Sequence, residues 1–182
     1  MAKQNKPFQP LNIAVLTISD TRDESNDTSG QYLVDALRDA GHILADKKIV
    51  KDDIYQIRAV SSNWIASDNV QVILTTGGTG FTGRDSTPEA ITPLFDKTVE
   101  GFGELFRQVS LADIGTSTIQ SRAVAGMANK VVIFCLPGST GACKTGWNDI
   151  IKSQIDASVK PCNFVAQLKV VDQSVDACES RG

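Results

Sequence analysis

"ILTTGGTGFTGRDSTPEA", Ile73 to Ala90, passes from an apolar stretch into a loop with four glycines, then into Arg-Asp and Ser-Thr-Pro-Glu. Glycine at that density weakens any helix or strand, so the middle of the segment reads as open backbone with something held against it. The residues before it, "VQVILTT", have the length and composition of a buried strand. After it, Ser86 or Thr87 is placed to cap a helix and Pro88 suits the first turn. Glu89 stands three residues after Ser86, as a capping box requires. Strand, glycine loop and helix in that order are half of a crossover unit.

The rest of the chain repeats the alternation. "NIAVLTI", Asn12 to Ile18, is a continuous apolar run, the mark of a strand buried on both faces. Tyr32, Leu33, Ala36, Leu37 and Ala40 recur at helical spacing, with Gly41 just past the end where a left-handed residue stops helices. "HILADKKIV" reads as a second strand, and Ile54, Ile57, Trp64 and Ile65 as the stripe of a second helix. Gly101 to Val109 is a short helix. "SRAVAGMANKVVIFCL" is two strands about a tight "ANK" turn, and the second strand feeds "PGSTGACKTG" into a helix faced by Trp147, Ile150, Ile151 and Ile155. The expected fold is α/β, a single doubly wound domain with a mostly parallel sheet and helices on both faces. Residues 1–10 are an N-terminal extension, 11–168 the domain, and 169–182 a polar, uncapped tail expected to lack order.

Composition narrows the function. The 182 residues, 41% of them hydrophobic, are enough for one buried core. With 18 basic and 21 acidic side chains, a net charge of −3 and a pI near 5.1, no overall field gathers nucleic acid. No apolar run approaches the roughly 20 residues that cross a bilayer, and Met1 to Pro10 has no signal core, so a soluble cytoplasmic protein is expected. Cys135, Cys143, Cys162 and Cys178 are too scattered for a metal knuckle and read as free buried thiols. His42 is the only histidine, which leaves no room for a histidine triad or a multi-histidine zinc site, and it reads as structural. Trp64 and Trp147 read as core or subunit contacts.

Right-handed crossovers bring the carboxyl ends of parallel strands to one edge, where open α/β sheets bind ligands. Four loops share it: "SDT" with Ser19 and Asp20, "VKDD" with Asp52, the glycine loop with Arg84 and Asp85, and "LPGST". Two carboxylates beside a glycine-lined backbone suit a phosphate ligand with magnesium, because hard cations take carboxylate oxygens while backbone N–H groups hold the anion. Each residue also has a plainer role: Asp52 or Asp53 as a cap of helix two, Asp85 as a cap near Ser86, Arg84 in an exposed ion pair. "GSTGACKT", Gly138 to Thr145, misses the P-loop pattern by one residue. Cys143 stands where the motif before Lys144 wants glycine, so a P-loop NTPase is a remote alternative.

"TTGGTG" followed by "RD" and "TPEA", preceded by "VKDD" and followed by "LPG", resembles the MoaB/MogA family of molybdenum cofactor biosynthesis, and most closely its MoaB branch. The likeness runs over about residues 10 to 168 and includes "DTSG", "NWIASDNVQVIL", "EGFGELFR", "GTSTIQSRAVAG", "LPGSTGACKTGW" and "KPCNF". The resemblance implies a molybdopterin-binding, MogA-like fold assembled as a homotrimer or as a hexamer of two trimers, in company with other proteins of the pathway. Active members adenylylate the terminal phosphate of molybdopterin, with magnesium and with ATP as co-substrate, and release pyrophosphate. Their catalytic acidic pair matches Asp52 and Asp85, which would also hold the magnesium. Gly77, Gly78, Thr79 and Gly80 would cradle phosphate, Arg84 would stabilise charge, and Ser19, Asp20, Pro137, Gly138 and Ser139 would line the rim. Two positions depart from the adenylylating pattern: Lys51 replaces a proline and Ser139-Thr140 replaces Asn-Pro. The alternative is a non-catalytic molybdopterin-binding or assembly protein of the same pathway.

Overall fold

A computed structural model describes residues 6–171. The strand at Asn12–Ile18 (β1) is buried along its whole length, as are Val72–Thr76 (β3) and Val131–Leu136 (β6). These apolar runs form the centre of a six-stranded sheet of order β2-β1-β3-β6-β5-β4, with β2 at Ile43–Val50, β5 at Val124–Ala128 and β4 at Lys97–Thr98. The pairings β1–β2, β1–β3 and β3–β6 are parallel, and β6–β5 and β5–β4 antiparallel. The hairpin between β5 and β6 turns on Asn129 and Lys130, at φ 46° and 59°. Two consecutive left-handed residues match the twist of the strands they join.

Helices cover both faces. On one lie Thr28–Asp39 (α1), Glu100–Ile114 (α4) and Thr140–Gly146 (α5), the last continuing through a π-helical stretch, Trp147–Ile151, into Lys152–Gln154 (α6). Leu33, Leu37, Phe102, Phe106, Trp147 and Ile151 pack there against Val15, Leu74 and Phe134. On the other lie Ile54–Ala66 (α2) and Thr87–Ile91 (α3), whose Ile57, Trp64 and Ile91 meet Leu16, Ile73 and Ile133. Gly41 stops α1 at φ +88°. His42 is buried at the start of β2, where its Nδ1 accepts from the Leu11 amide at 3.2 Å, and burial lowers its pKa to about 4.

Several details differ from the expectations. β4 has two residues, too few to leave a period in the sequence, and α4 continues five residues past Val109. The Ser86–Glu89 capping box does not form: α3 has no side-chain cap, because Ser86 hydrogen-bonds Asp52 and Glu89 pairs with Arg122. Cys135 and Cys143 are buried but Cys162 is exposed, and Cys178 lies outside the described residues. Trp64 and Trp147, like Phe102 and Phe106, are buried in the domain core, which is the first of the two roles expected of the tryptophans. The exposed large apolar residues of α4 and the 3-10 turn after it are Leu105, Leu111, Ile114 and Ile119. Lys169, where the tail begins, is tied to the domain: its amide donates to Lys130 and its carbonyl accepts from Gln71 at 2.7 Å. The tail from residue 172 on lies outside the described residues. Among the described residues no helix is long and apolar enough to cross a membrane.

Candidate functional site

β1 and β3 are neighbours, and the chain leaving β1 crosses to β2 on one side while the chain leaving β3 runs to the far side of the sheet. The gap this opens at the carboxyl ends is the standard ligand position of doubly wound sheets. Here it is a cleft of about 690 Å³. Every residue expected at the site lines it: Ser19 and Asp20 after β1, Asp52 after β2, Gly77 to Gly80 with Arg84 and Asp85 after β3, and Pro137 to Ser139 after β6.

Three glycines are required by close contacts. A Cβ on Gly77, at φ +106°, would run into the Ile18 carbonyl, one on Gly78 would stand 2.7 Å from Asp52 Oδ2, and one on Gly80 2.7 Å from Asp85 Oδ2. The Thr87 hydroxyl donates to the Gly77 carbonyl at 2.8 Å and its amide to the Gly78 carbonyl at 2.9 Å. The Gly77 amide is used within the fold, on the Leu136 carbonyl at 3.0 Å, so it is not available to an anion. The amides of Gly78 and Thr79 make no hydrogen bond among the described residues.

The aspartates divide the work. Asp53, not Asp52, caps α2, accepting from the amides of Tyr55 at 3.0 Å and Gln56 at 2.9 Å. Asp52 reaches the neighbouring loop instead, where its Oδ1 accepts from the Ser86 hydroxyl at 2.7 Å and the Ser86 amide at 3.1 Å. Asp85 closes its own loop, accepting on Oδ2 from the Thr82 hydroxyl at 2.6 Å and the Thr82 amide at 2.8 Å. Those hydrogen bonds hold its carboxyl below the usual range. Arg84 grips Asp20 through two nitrogens, at 2.7 and 3.0 Å, which lowers the pKa of Asp20 and raises that of Arg84. The plain expectation for Arg84, an ion pair, is thus met, and the pair ties the loop after β1 to the glycine loop.

Sequence reasoning missed two arginines and one wall. Arg122, just before β5, donates to the carbonyls of Thr79 at 3.2 Å and Asp85 at 3.1 Å, pairs with Glu89, and lies over the Phe81 ring. It clamps the glycine loop from outside, and no local pattern links it to a loop some 40 positions away. Arg22 lines the cleft from the loop after β1; its place only four residues past a strand end was the available signal. The wall is the second half of α4 with the turn beyond it, where Ser110, Asp113, Ser117 and Ser121 face the cleft. The Ser121 hydroxyl is buried there without a protein partner. The P-loop alternative fails on geometry: Lys144 lies over the Tyr32 ring at 5.8 Å and is exposed, and it is not among the residues lining the cleft. Cys143 is packed in the core beneath, and burial pushes its thiol up to about 11.

This edge-loop architecture recurs in solved proteins. Residues 14–157 match the family described as "Probable molybdopterin binding domain". The chain belongs to this family. It is 58% identical over 169 residues to molybdenum cofactor biosynthesis protein B of Escherichia coli strain K12, covering 93% of this chain and 99% of that one. A crystal structure of a molybdenum cofactor biosynthesis protein B superposes with a TM-score of 0.79 at 44% identity, over 81% of this chain and 92% of that one. The tungsten cofactor synthesizing protein MoaB from Pyrococcus furiosus gives 0.73 at 39% identity, over 81% and 93%. The fold and the family resemblance read from the sequence agree with these matches.

Proposed function

We propose that the chain works in molybdenum cofactor biosynthesis, binding molybdopterin in the cleft and adenylylating its terminal phosphate with Mg-ATP. The observation that carries this reading is the convergence of Asp52, Asp85 and the free Gly78 and Thr79 amides on one cleft whose size suits a pterin-sized ligand. In the reaction an oxygen of the terminal phosphate attacks the α-phosphorus of ATP, the bond from that phosphorus to the bridging oxygen breaks, and pyrophosphate leaves with the electron pair. Both partners are anions, so positioning and charge neutralisation are the catalytic tasks.

The residues fit a magnesium ion. Among the described residues no three His, Cys, Asp or Glu side chains gather as a metal site. Magnesium is commonly held by one or two carboxylates with substrate phosphates and water completing the shell. Asp52 Oδ2 and Asp85 Oδ1 are clear of the side-chain hydrogen bonds that fix their partner oxygens. When bound, the ion neutralises charge between the two phosphates. The chain itself orients: Ser86 and Thr82 fix the carboxylates, Arg122 turns the Thr79 carbonyl outward, and the Ser121 hydroxyl is a spare donor at the wall.

The test is incubation of purified protein with molybdopterin, magnesium and ATP, followed by separation of pterin products. Adenylylated molybdopterin and stoichiometric pyrophosphate are expected. Tight pterin binding with no product would instead favour the non-catalytic molybdopterin-binding role, for which the engagement of Asp85 within its own loop is the structural argument.

A further inference from the structure

Arg22 leaves the loop after β1 and places its guanidinium in the cleft, with its side chain 29% exposed. Its one side-chain hydrogen bond among the described residues goes to the Ser29 hydroxyl. An arginine presents five N–H donors in a rigid fork, so most of this one's donors are unmatched. The nearest carboxylate, Asp27, stands 3.8 Å away and has no need of it. Asp27 is fully buried and already accepts from Thr17 Oγ1 at 2.9 Å and the Gly30 amide at 2.9 Å, with Lys47 Nζ at 3.3 Å. Asp27 and Ser29 therefore hold the guanidinium in place without using it up. Arg84, the other cation lining the cleft, is 65% exposed and spends two of its donors on Asp20.

Asp20, Asp52 and Asp85 line the cleft from the loops after β1, β2 and β3, and Asp113 lines it from α4, where it accepts from the Thr145 hydroxyl at 3.3 Å; Arg22 lies on the α1 and α5 side, near Cys143. A partly buried, pre-positioned guanidinium with spare forked donors is matched by a phosphate group, which accepts two parallel N–H bonds. We infer that Arg22 is an anion-recognition residue of this cleft and takes a phosphate group of the bound ligand. This deepens the function proposed above and rests on it for the identity of that ligand. The phosphate can come from the pterin or from the nucleotide.

The test titrates wild type, Arg22→Gln and Arg22→Lys with molybdopterin, with its dephosphorylated form, and with ATP alone, following binding by calorimetry. Asp27 keeps its other partners in both variants, and thermal melts within a few degrees of wild type check that the fold is intact. If the pterin supplies the phosphate, Arg22→Gln weakens molybdopterin binding at least tenfold and flattens its salt dependence. The dephosphorylated form then changes less than about twofold, and Arg22→Lys recovers part of the loss. If the nucleotide supplies it, the tenfold loss falls on ATP and spares both pterins. Equal weakening of the phosphorylated and dephosphorylated pterins, or no loss on any ligand, overturns the assignment. A wild type that binds ATP but neither pterin, with the ATP loss in Arg22→Gln, retains Arg22 as an anion site and overturns the cofactor reading instead.

Discussion

Asp52 and Asp85 reach the same cleft by opposite routes. Asp52 sits on a short connection between β2 and α2, is released from capping by its neighbour Asp53, and holds Ser86 of another loop. Asp85 sits on a long glycine loop and holds Thr82 of the same loop. One carboxylate is fixed by a rigid strand end and reaches outward. The other is fixed by the loop it closes. A carboxylate on a long loop is thus held by local hydrogen bonds that one beside a strand end does not need, and Thr82, Thr87 and Arg122 supply them here.

The largest effect should come from breaking the frame that both carboxylates share. Gly77→Ala forces a left-handed φ on a side-chain residue and drives its Cβ into the Ile18 carbonyl. A loss of about 3 kcal/mol in urea unfolding is expected, from strain and overpacking together. A loss under about 1 kcal/mol would mean that the loop relaxes, and would weaken the view that it is held rigid.

Next in size are the charges themselves. Asp52→Asn and Asp85→Asn should each lower adenylylation roughly a hundredfold or more, equivalent to about 2.7 kcal/mol of transition-state stabilisation, with pterin affinity nearly unchanged. Steady-state kinetics with both substrates reads this as a fall in kcat. A hundredfold fall in Asp52→Asn beside near-normal turnover in Asp85→Asn would break the pairing and leave Asp85 as a loop brace alone.

The smallest effect is on acid stability. The pKa of Asp85 is lowered in the folded chain by its bonds to Thr82. Its contribution is therefore complete above the ordinary value of 3.8 and is lost as pH falls through the lowered folded value. Unfolding curves of Thr82→Ala, which removes the hydroxyl donor, should differ from wild type above about pH 4 and converge on it as pH falls through the lowered folded value of Asp85. A constant difference across that range would place the hydroxyl's contribution outside the titration of Asp85.

The sequence by itself determined the central strands, since β1, β3 and β6 are runs of apolar residues too long and too uniform to be exposed, and the Asn129-Lys130 turn and Gly41 stop follow from local backbone preference. It also determined which loops share the cleft, because right-handed crossovers leave little choice of edge. Only the tertiary structure decided what each polar side chain does there. Ser86 had a sound local role as a cap and Glu89 as its partner, yet both are taken by distant residues, Asp52 and Arg122, whose hydrogen bonds win over the local ones. Arg122 left no periodic mark because its hydrogen bonds, across 30 or 40 positions, are set by how strands are ordered in space. Periodicity records which face of an element is buried. It carries nothing about which donor meets which acceptor once the elements have packed.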